Sequence, residues 1–498
     1  MHKPAAIVGR DRQWRAMQRF LHGSGAEETQ CGSLRLGLVS GRRRTGKTQL
    51  LTAVCEAVGG LYIACVQDEG DLAARRRFAS AITEHAGLRN TIRGEPESWE
   101  RLLRAALETS ARVSPAGSPA VVVIDEFPYV MANAPQLPSL IQHLYDESQQ
   151  GRGPGGRLIL CGSALSVMHT LLSGTQPLRG RAMMDMRLNA LDYREAAQLW
   201  HLQDPEVAFR VHACVGGIPG YRPLMPSVPT AVDDFDGWVT DNLLSVDIGV
   251  FTRTEVDYLL REDPRITARS VYYDILSAVA QGARTPAKIG AAIGRDNNAV
   301  RYPIGVLESA GYLTKAHDLH RHGKPTISVC DPIIRFDRLI TAPHLGQLEL
   351  GRVEPVWRAA APTFRSNILG PHFEELAREW VHRFAPDELG RPIGFGQVGF
   401  GSVQDDRGRA KHDIDVIATE GDRVRLIGEA KATLARRGLP DLERLDAIRQ
   451  LLAREGKDTT ETVTALFSAT GFTTDLVEAA GSRADTVLVD LKRLYGLG

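Results

Sequence analysis

The stretch Gly41-Arg42-Arg43-Arg44-Thr45-Gly46-Lys47-Thr48 matches the pattern GxxxxGK(S/T). A chance match in a chain of this composition is expected roughly 0.01 times. The apolar run Leu34–Ser40 precedes it, and the helical pattern Gln49–Val58 follows it. In this setting the amides of the loop and of the helix N-terminus point at a bound phosphate. The spacing predicts a nucleotide-binding loop, with an exposed basic turn as the alternative. Lys47 would bridge the β- and γ-phosphates, and Thr48 would ligate Mg²⁺.

A second phosphate-handling feature is the apolar run Ala120–Asp125, which ends in two adjacent carboxylates, Asp125 and Glu126. Such a run is typical of a buried parallel strand, and open α/β sheets bind ligands at the carboxyl edge of their strands. Asp125 is predicted to hold the Mg²⁺ shell, and Glu126 to orient or deprotonate the attacking water. The run Leu158–Gly162 leads to Ser163, which is predicted to be a γ-phosphate sensor or, alternatively, an ordinary strand-to-loop serine.

Composition bounds the class of protein. The 498 residues carry 60 Lys and Arg against 60 Asp and Glu, and 43% of the residues are hydrophobic. These values exclude wholesale disorder, a collagen-like repeat, a disulfide mini-scaffold and a globally basic nucleic-acid coat. The length suggests roughly three or four domains. Only nine of the basic residues are Lys, so a lysine inside a motif is informative, because a guanidinium cannot replace an ammonium at every site.

The sequence predicts a soluble cytoplasmic protein with no membrane partner. No run of 18 apolar residues occurs, and Met1–Arg10 lacks the apolar core of a signal peptide. The six cysteines do not have zinc-site spacing.

The alternation of apolar runs and helical patterns predicts the layout of the chain. Residues 34–200 indicate a parallel sheet flanked by helices, with strands Leu34–Ser40, Leu61–Val66, Ala120–Asp125 and Leu158–Gly162. Residues 190–260 are predicted to be mostly helical. Residues 364–498 alternate again, with helices His372–Phe384 and Leu442–Arg454, a hairpin His412–Ala432, and strands Val463–Ser468 and Asp485–Asp490.

Residues 266–330 have the helix order of a winged helix-turn-helix, with predicted helices Val271–Gln281, Ala287–Ile293 and Asn297–Ser309. Thr285 before Pro286 predicts an N-cap with proline at the first helical position. Residues 265–345 hold 11 basic and six acidic residues, a net charge of about +5. The third helix is predicted to read bases, and the wing to contact phosphates; the residues are Arg295, Asn297, Asn298, Arg301, Arg321 and Lys324. The alternative is a module for protein contacts.

The predicted hairpin carries a second set of chemically active side chains, Asp415, Glu429 and Lys431. Residues two apart on a strand share a face, so Glu429 and Lys431 project together, and the hairpin brings Asp415 opposite them. Carboxylates suit Mg²⁺, and a neighbouring ammonium can orient water and stabilise charge on a reacting phosphate. Asp413 is the fallback for Asp415, and a salt-bridged surface hairpin is the alternative to a site.

The ordered motifs of residues 5–335 together resemble the archaeal-type ATPase family, a branch of the STAND/AAA+-like P-loop NTPases. They are Ile7-Val8-Gly9-Arg10-Asp11, the phosphate loop, Val-Ile-Asp-Glu-Phe, Leu-Cys-Gly-Ser and Gly216-Gly217-Ile218-Pro219. The resemblance implies that Arg10 lies near the adenine and that the turn with Pro219 approaches the nucleotide. Arg179 stands where the family leads us to expect an aromatic residue. It and Arg181 are either γ-phosphate contacts or ordinary surface arginines.

The C-terminal part resembles the DUF234 domain that accompanies these ATPases, and its D…ExK arrangement resembles the PD-(D/E)xK nuclease fold. This likeness implies that Glu374 is a third carboxylate of the Mg²⁺ site with Asp415 and Glu429. The expected fold class is α/β. The expected domains are a P-loop core (1–195), a helical lid (196–265), a winged helix (266–335) and a restriction-endonuclease-like domain (336–498).

Three functions are consistent with these features. The first is a Mg²⁺-dependent ATP-hydrolysing switch that binds DNA and whose C-terminal domain cuts nucleic acid. The second is a non-cleaving, ATP-gated regulator, and the third is an ATPase that remodels a protein partner. The expected cofactors are ATP and Mg²⁺. The expected partners are ATP, DNA through the winged helix, and either another copy of the chain or a different protein.

Overall fold

The computed structural model describes residues 1–23, 32–88, 97–247, 255–261, 263, 265–266, 269–321, 323–391, 393, 396–405 and 410–497. These residues divide into two compact units. The first contains Met1–Leu191, Ile218–Tyr221 and Asp263, and the second contains Asp192–Gly217, Arg222–Arg261 and the chain from Arg265 onward.

The first unit alternates strands and helices, as its apolar runs predict. Its strands are β1 (Leu34–Ser40), β2 (Leu61–Ala64), β3 (Val121–Asp125), β4 (Gly156–Gly162) and β5 (Ala182–Arg187). Its helices are α1 (Asp11–His22), α2 (Lys47–Val58), α3 (Asp71–His85), α4 (Trp99–Val113), α5 (Phe127–Asn133), α6 (Leu137–Gln149) and α7 (Leu165–Leu171).

Within the described residues, these strands form one parallel sheet in the order β2-β3-β4-β1-β5. Every residue of β3 and β4 is buried, because helices cover both faces of the sheet. The strand order brings the loop after β1 close to the ends of β3 and β4, because parallel strands share one carboxyl edge. This convergence positions the first candidate site.

Strand β5 is absent from the predicted set. It pairs with β1 at the sheet edge, so only one of its faces is buried. Met184 and Met186 point inward, whereas Met183, Asp185 and Arg187 are exposed. This mixed pattern lacks the long apolar run that identifies the central strands.

The second unit begins with seven described α-helices, of which the last three form a module with the strand pair that follows them. The helices are α8 (Tyr193–Trp200), α9 (Pro205–Val215), α10 (Phe235–Val239), α11 (Glu255–Arg261), α12 (Arg269–Ala280), α13 (Pro286–Ala292) and α14 (Asn297–Ser309). Strands β6 (Leu313–Ala316) and β7 (Thr326–Val329) follow as an antiparallel pair. The predicted N-cap at Thr285 is confirmed, because its hydroxyl accepts a hydrogen bond of 3.3 Å from Lys288 N.

The rest of the second unit contains a mixed sheet and its helices. The helices are α15 (Pro332–Phe336), α16 (Leu345–Glu349), α17 (Val353–Thr363), α18 (Gly370–Arg383), α19 (Ala385–Leu389), α20 (Leu439–Arg454), α21 (Thr474–Gly481) and α22 (Leu491–Leu494). The strands are β8 (Gln397–Gln404), β9 (Lys411–Glu420), β10 (Arg423–Lys431), β11 (Val463–Ser468) and β12 (Thr486–Asp490). Their order along the sheet is β12-β11-β10-β9-β8.

In this sheet β9 is antiparallel to both β8 and β10, whereas β10, β11 and β12 are parallel. The predicted hairpin is therefore present as β9 and β10. Strand β8 is a further strand that the sequence analysis does not predict; its Gly399 and Gly401 interrupt the apolar pattern.

The segment between β6 and β7, which the sequence predicts to be a wing and which we call the wing, packs on the second sheet. Leu319 N donates to Phe400 O at 3.0 Å, and Ser402 Oγ donates to Asp318 Oδ2 at 2.6 Å. The Leu319 side chain joins the apolar core of that sheet. Arg321, which the sequence predicts to contact phosphates, donates to Gln404 Oε1 at 2.9 Å, whereas Lys324, the other basic residue predicted for the wing, is exposed. The wing thus satisfies part of the free edge of β8, where backbone groups would otherwise lack a partner strand.

Across the part of the chain that the structure describes, no helix combines the length and apolar character that a membrane span requires.

Candidate nucleotide site and carboxylate cluster

The loop between β1 and α2 has the backbone shape of a phosphate cradle. Gly46 adopts a left-handed conformation, with φ of 89°, and so does Arg44, with φ of 64°. Gly41 has no room for a side chain, because an added Cβ would lie 2.6 Å from Leu188 O. Thr45 Oγ1 closes the turn by donating to Arg42 O at 2.7 Å. Both glycines of the pattern are therefore required by the geometry of the loop.

Lys47 is 5% exposed, and its ammonium lies inside this loop. Nζ donates to Gly41 O at 2.8 Å and to Arg42 O at 3.1 Å. A buried cation that is held only by neutral carbonyl oxygens remains uncompensated, and an anion is its natural partner. The loop therefore holds a buried positive charge that a bound phosphate would compensate.

Asp125 connects β3 to the start of α2. Its Oδ2 accepts hydrogen bonds from Thr48 Oγ1 at 2.8 Å and from the Tyr62 hydroxyl, and its Oδ1 accepts from Glu126 N at 2.9 Å. Burial by itself would raise the pKa of this carboxyl, but hydrogen bonds from Cys161, Tyr62 and Thr48 outweigh burial and lower it. Asp125 is thus held as an oriented carboxylate at the predicted Mg²⁺ position.

Tyr62 is a member of this site that the sequence analysis misses. It lies on β2 opposite Val123 of β3, two residues before Asp125. The tyrosine sits in an ordinary strand pattern, so a contact with Asp125 becomes visible only when β2 and β3 are known to be neighbours.

Glu126 follows directly in a left-handed conformation, with φ of 52°, which is uncommon for a residue with a side chain. Its Oε2 accepts from Ser163 N at 3.1 Å and from Ser163 Oγ at 3.0 Å. The structure thus brings Ser163, at the end of β4, beside the carboxylate predicted to act on water. The carboxylate of this left-handed residue therefore lies across the sheet edge, at the end of β4.

Two more predicted residues lie against the phosphate loop. Arg10 is buried and donates from a guanidinium nitrogen to Thr45 O at 2.9 Å. The turn that contains Pro219 lies on the loop, because Gly220 N donates to Arg44 O at 2.9 Å. An added Cβ on Gly220 would lie 2.6 Å from Arg44 Cβ, so this close approach requires glycine.

The two arginines after β4 have partners outside the loop. Arg181 forms an ion pair with Asp146 at 2.9 Å, and the exposed Arg179 donates to Gly174 O at 2.7 Å. The structure therefore favours the interpretation of both as ordinary surface arginines.

A second cluster of charged side chains lies on the β9–β10 hairpin. Asp415 Oδ2 accepts from Lys431 Nζ at 2.8 Å and from Ala430 N at 3.0 Å. Lys431 Nζ also lies 3.4 Å from Glu429 Oε1. Asp413, the fallback residue, is exposed and pairs with Lys411 at 2.8 Å. The hairpin therefore joins Asp415, Glu429 and Lys431 and leaves Asp413 outside.

Two arginines that the sequence analysis does not predict complete this cluster. Arg444 on α20 donates to Glu429 Oε1 at 2.9 Å. Arg378 on α18 donates to Asp415 O at 2.8 Å and lies 3.7 Å from Glu374 Oε2. They come from helices on either side of the hairpin in sequence, and only the packing of these helices on the sheet reveals them.

Charges in this cluster shift the pKa values of its members. Burial and the negative charge of Asp415 raise the pKa of Glu374 to about 7. Burial would lower the pKa of Lys431, but Asp415, Glu429 and Glu374 outweigh burial and raise it. At neutral pH Glu374 therefore exists partly as the neutral acid, while Lys431 stays charged.

The helix that carries Glu374 is anchored by a buried network. Arg335 donates to Glu375 Oε1 at 2.5 Å, and His372 Nδ1 lies 3.5 Å from Glu375 Oε2. His372 Nε2 in turn lies 2.9 Å from His212 Nδ1. Burial would raise the pKa of Glu375, but Arg335 and His372 lower it to about 2. The network joins α18, which carries Glu374, to Arg335 of α15 and His212 of α9.

The donor set of the hairpin suits Mg²⁺, because carboxylate oxygens are its preferred protein ligands and one or two of them suffice when water fills the other positions. Asp415 and Glu429 fit this description. No group of three or more His, Cys, Asp or Glu side chains is arranged to hold a metal ion within the described ranges. In the observed geometry Glu374 therefore does not form a three-carboxylate metal site with Asp415 and Glu429.

Comparisons with known proteins give limited similarity. No family model matches the chain. An uncharacterized protein of Methanocaldococcus jannaschii is 28% identical over 257 residues, which are 51% of this chain and 51% of that protein. The chain thus spans about half the length of the curated relative that it matches.

Solved structures align at low identity. A Walker-type ATPase of Pyrococcus abyssi is 17% identical, with 67% of this chain and 96% of that chain covered and a TM-score of 0.48. The Aeropyrum pernix ORC2 protein, as its ADPNP–ADP complexes, is 14% identical, with 70% and 97% covered and a TM-score of 0.41. A STAND protein of Pyrococcus horikoshii with a tetratricopeptide repeat sensor is 14% identical, with 79% and 53% covered and a TM-score of 0.28. The function of the chain therefore has to be inferred from its own residues.

The raised pKa of Glu374 predicts a pH-dependent effect of Glu374→Gln on stability. The pKa of Glu374 in the folded protein is about 7, above its ordinary value of 4.5. At a pH above 4.5, ionisation of this residue therefore favours the unfolded state. Glu374→Gln is expected to raise the free energy of unfolding by roughly 1 kcal/mol at pH 8, after allowance for partial exposure. Below a pH of about 4 it is expected to have no effect, because Glu374 is then neutral in both the folded and the unfolded state. Urea unfolding across this pH range measures the difference. The matched control is Glu443→Gln, an exposed glutamate on α20; a gain for Glu374→Gln that is independent of pH would contradict the prediction.

Proposed function

We propose that the first unit binds ATP with Mg²⁺ and hydrolyses it. The observation that carries the proposal is the 2.8 Å hydrogen bond from Thr48 Oγ1 to Asp125 Oδ2, because it joins the phosphate loop to the acidic end of β3. A hydroxyl and a carboxylate at these two positions are the ligand types that hold Mg²⁺ on a nucleotide in P-loop enzymes. The second supporting observation is the buried Lys47 ammonium inside the loop.

Each side chain has a distinct task in this proposal. Lys47 exchanges its carbonyl partners for phosphate oxygens, which compensates its charge. Thr48 and Asp125 would hold Mg²⁺, which neutralises negative charge on the phosphates. Glu126 orients a water molecule and accepts its proton. Ser163, which donates to Glu126 at 3.0 Å, keeps that carboxylate turned toward the sheet edge until a nucleotide is present.

Two substitutions separate binding from hydrolysis. Lys47→Ala is expected to weaken ATP binding by about 100-fold or more, because it removes the buried positive charge. Glu126→Gln retains an oxygen acceptor for Ser163, so ATP affinity is expected to persist while hydrolysis falls by about 100-fold. Calorimetric titration and phosphate release measure the two effects.

The control for these variants is Lys315→Ala, which removes a partly exposed lysine paired with Glu308 in the second unit. It is expected to change neither quantity. Unchanged ATP affinity in Lys47→Ala would refute the nucleotide site.

We also propose that the second unit binds DNA through α14. The supporting observation is the exposed face at the start of this helix, which presents Arg295, Asn298 and Arg301 beside Tyr302, whose exposed fraction is 66%. Arginine and asparagine make bidentate contacts with guanine and adenine edges.

The role of α14 predicts different salt dependence for two arginine variants. Arg301→Ala is expected to reduce the slope of log affinity against log salt by about 0.9, the loss of one phosphate contact. Arg321→Ala, in the wing that packs on β8, is expected to leave the slope unchanged. Fluorescence anisotropy with a duplex at several salt concentrations measures both slopes, and equal changes in the two variants would contradict this interface.

The hairpin supports a further proposal, a metal-dependent phosphodiesterase related to PD-(D/E)xK nucleases. Its basis is the convergence of Asp415, Glu429 and Lys431 at one end of a mixed sheet, with Glu374 on the helix that packs against it. Asp415 and Glu429 would hold Mg²⁺, which supplies Lewis-acid activation of a phosphodiester. Lys431 would orient water and neutralise charge on the reacting phosphate.

This proposal predicts cleavage of DNA that is lost in Asp415→Ala and in Lys431→Ala, each by at least about 100-fold. The assay follows plasmid and single-stranded DNA with Mg²⁺, in the presence and absence of ATP. Asp413→Ala is the matched control, because that residue lies outside the cluster, and its activity is expected to equal that of the wild type. If wild-type protein cuts no substrate in any nucleotide state, the chain is a non-cleaving ATP-gated regulator; ATP hydrolysis stimulated by protein but never by DNA would indicate a remodelling ATPase.

A further inference from the structure

The hairpin cluster is charge-balanced. Three carboxylates are matched by three cations: Asp415 pairs with Lys431 at 2.8 Å, Glu429 with Arg444 at 2.9 Å, and Glu374 with Arg378 at 3.7 Å, while Lys431 also lies 3.4 Å from Glu429. A divalent cation binds best where negative charge is in excess. In the observed geometry, the arginines offset the charge that such an ion needs.

The three cations differ in how firmly they are held. Lys431 contacts two carboxylates, Asp415 and Glu429. Arg378 is tied down by a further hydrogen bond of 2.8 Å to the backbone oxygen of Asp415. Arg444 has a side chain that is 45% exposed, and in the described part of the chain its ion pair is with Glu429 alone. Of the three, Arg444 is therefore the cation that can leave at the smallest cost.

Glu429 does not become an isolated buried charge when Arg444 leaves. Its side chain is 7% exposed, and Lys431 Nζ remains 3.4 Å from the same oxygen, Oε1. A buried carboxylate that keeps one cationic partner tolerates the loss of the other, whereas a wholly unpaired one does not. The cluster thus contains one cation that is needed for charge compensation and one that is exchangeable.

We propose that Arg444 contacts the phosphodiester substrate of the candidate nuclease site and rests on Glu429 until a divalent cation takes over that carboxylate. A guanidinium is suited to this exchange, because its planar donors bind a carboxylate and a phosphate with the same bidentate geometry. The ligand is the phosphodiester backbone of a nucleic-acid strand. This inference rests on the proposed nuclease function and deepens it by naming a substrate-binding residue outside the D…ExK pattern.

The proposal predicts opposite effects of Arg444→Gln on two ligands. Mn²⁺ binding to the full chain without nucleotide is expected to tighten by roughly fivefold, because a partly exposed ion pair no longer competes for Glu429. Binding of an oligonucleotide in Ca²⁺, chosen to prevent turnover, is expected to weaken by about tenfold. In EDTA the oligonucleotide affinity of Arg444→Gln and wild type is expected to be equal. A merely structural role for Arg444 would not tighten metal binding.

Two further variants are matched to this measurement. Arg449→Gln removes an arginine from the same helix whose partners are Asp485 and Asp446, and it is expected to leave both affinities unchanged. Arg444→Lys keeps the charge without the bidentate geometry, so Mn²⁺ affinity is expected to stay near the wild-type value while oligonucleotide binding weakens. This variant also provides a test that does not depend on the folding of Arg444→Gln.

Asp415→Asn distinguishes failure of this inference from failure of the proposed nuclease function. If wild type binds Mn²⁺ in an Asp415-dependent manner but Arg444→Gln binds it no more tightly, the role of Arg444 is overturned and the metal site stands. If no Mn²⁺ binding depends on Asp415, the metal site fails and the role of Arg444 is overturned with it.

Discussion

The hydrogen bond between Thr48 and Asp125, 2.8 Å long, is the contact on which the proposed nucleotide site of the first unit depends. It exists because parallel strands place all their carboxyl ends at one edge. The phosphate loop leaves β1, the acidic pair ends β3, and Ser163 follows β4. Tyr62 reaches the same carboxylate from β2, and the donors around Asp125 keep it ionised although it is buried. Fold and electrostatics therefore act together, since an unsatisfied carboxylate at this depth would tend to become neutral.

The carboxylates of the second unit are stabilised differently. Asp125 is surrounded mainly by neutral hydrogen-bond donors, whereas Asp415, Glu429 and Glu374 have cationic neighbours. A neutral donor can remain in place when a metal ion arrives, but a cation competes with the ion for the same oxygen. In our proposal the second cluster is consequently the one in which the exchange of an arginine controls access of a metal ion, and helices α18 and α20 supply two of its three cations.

Close backbone approaches connect separate parts of each unit. In the first, Gly220 lies on the peptide of Arg44 in the phosphate loop. In the second, the wing forms the outer cover of β8 through Leu319 and Asp318. The latter contact gives the wing a structural role at the edge of the sheet. Its Arg321 has a partner in the protein, while the basic face of α14 remains exposed.

The sequence by itself determined the phosphate loop, the buried strands β1, β3 and β4, the Thr285 cap and the β9–β10 hairpin, because each depends on residues that are neighbours in the chain. Local spacing places Lys47 beside Thr48 and sets Glu429 two residues before Lys431. The tertiary structure decided which strands are adjacent, and this strand order places Tyr62 beside Asp125. The packing of a helix and a loop on the second sheet places Arg444 beside Glu429 and the wing beside β8. It also revealed the edge strands β5 and β8, whose half-exposed or glycine-interrupted patterns are too weak to identify. Contacts between residues far apart in sequence depend on packing and strand order, and no local pattern contains that information.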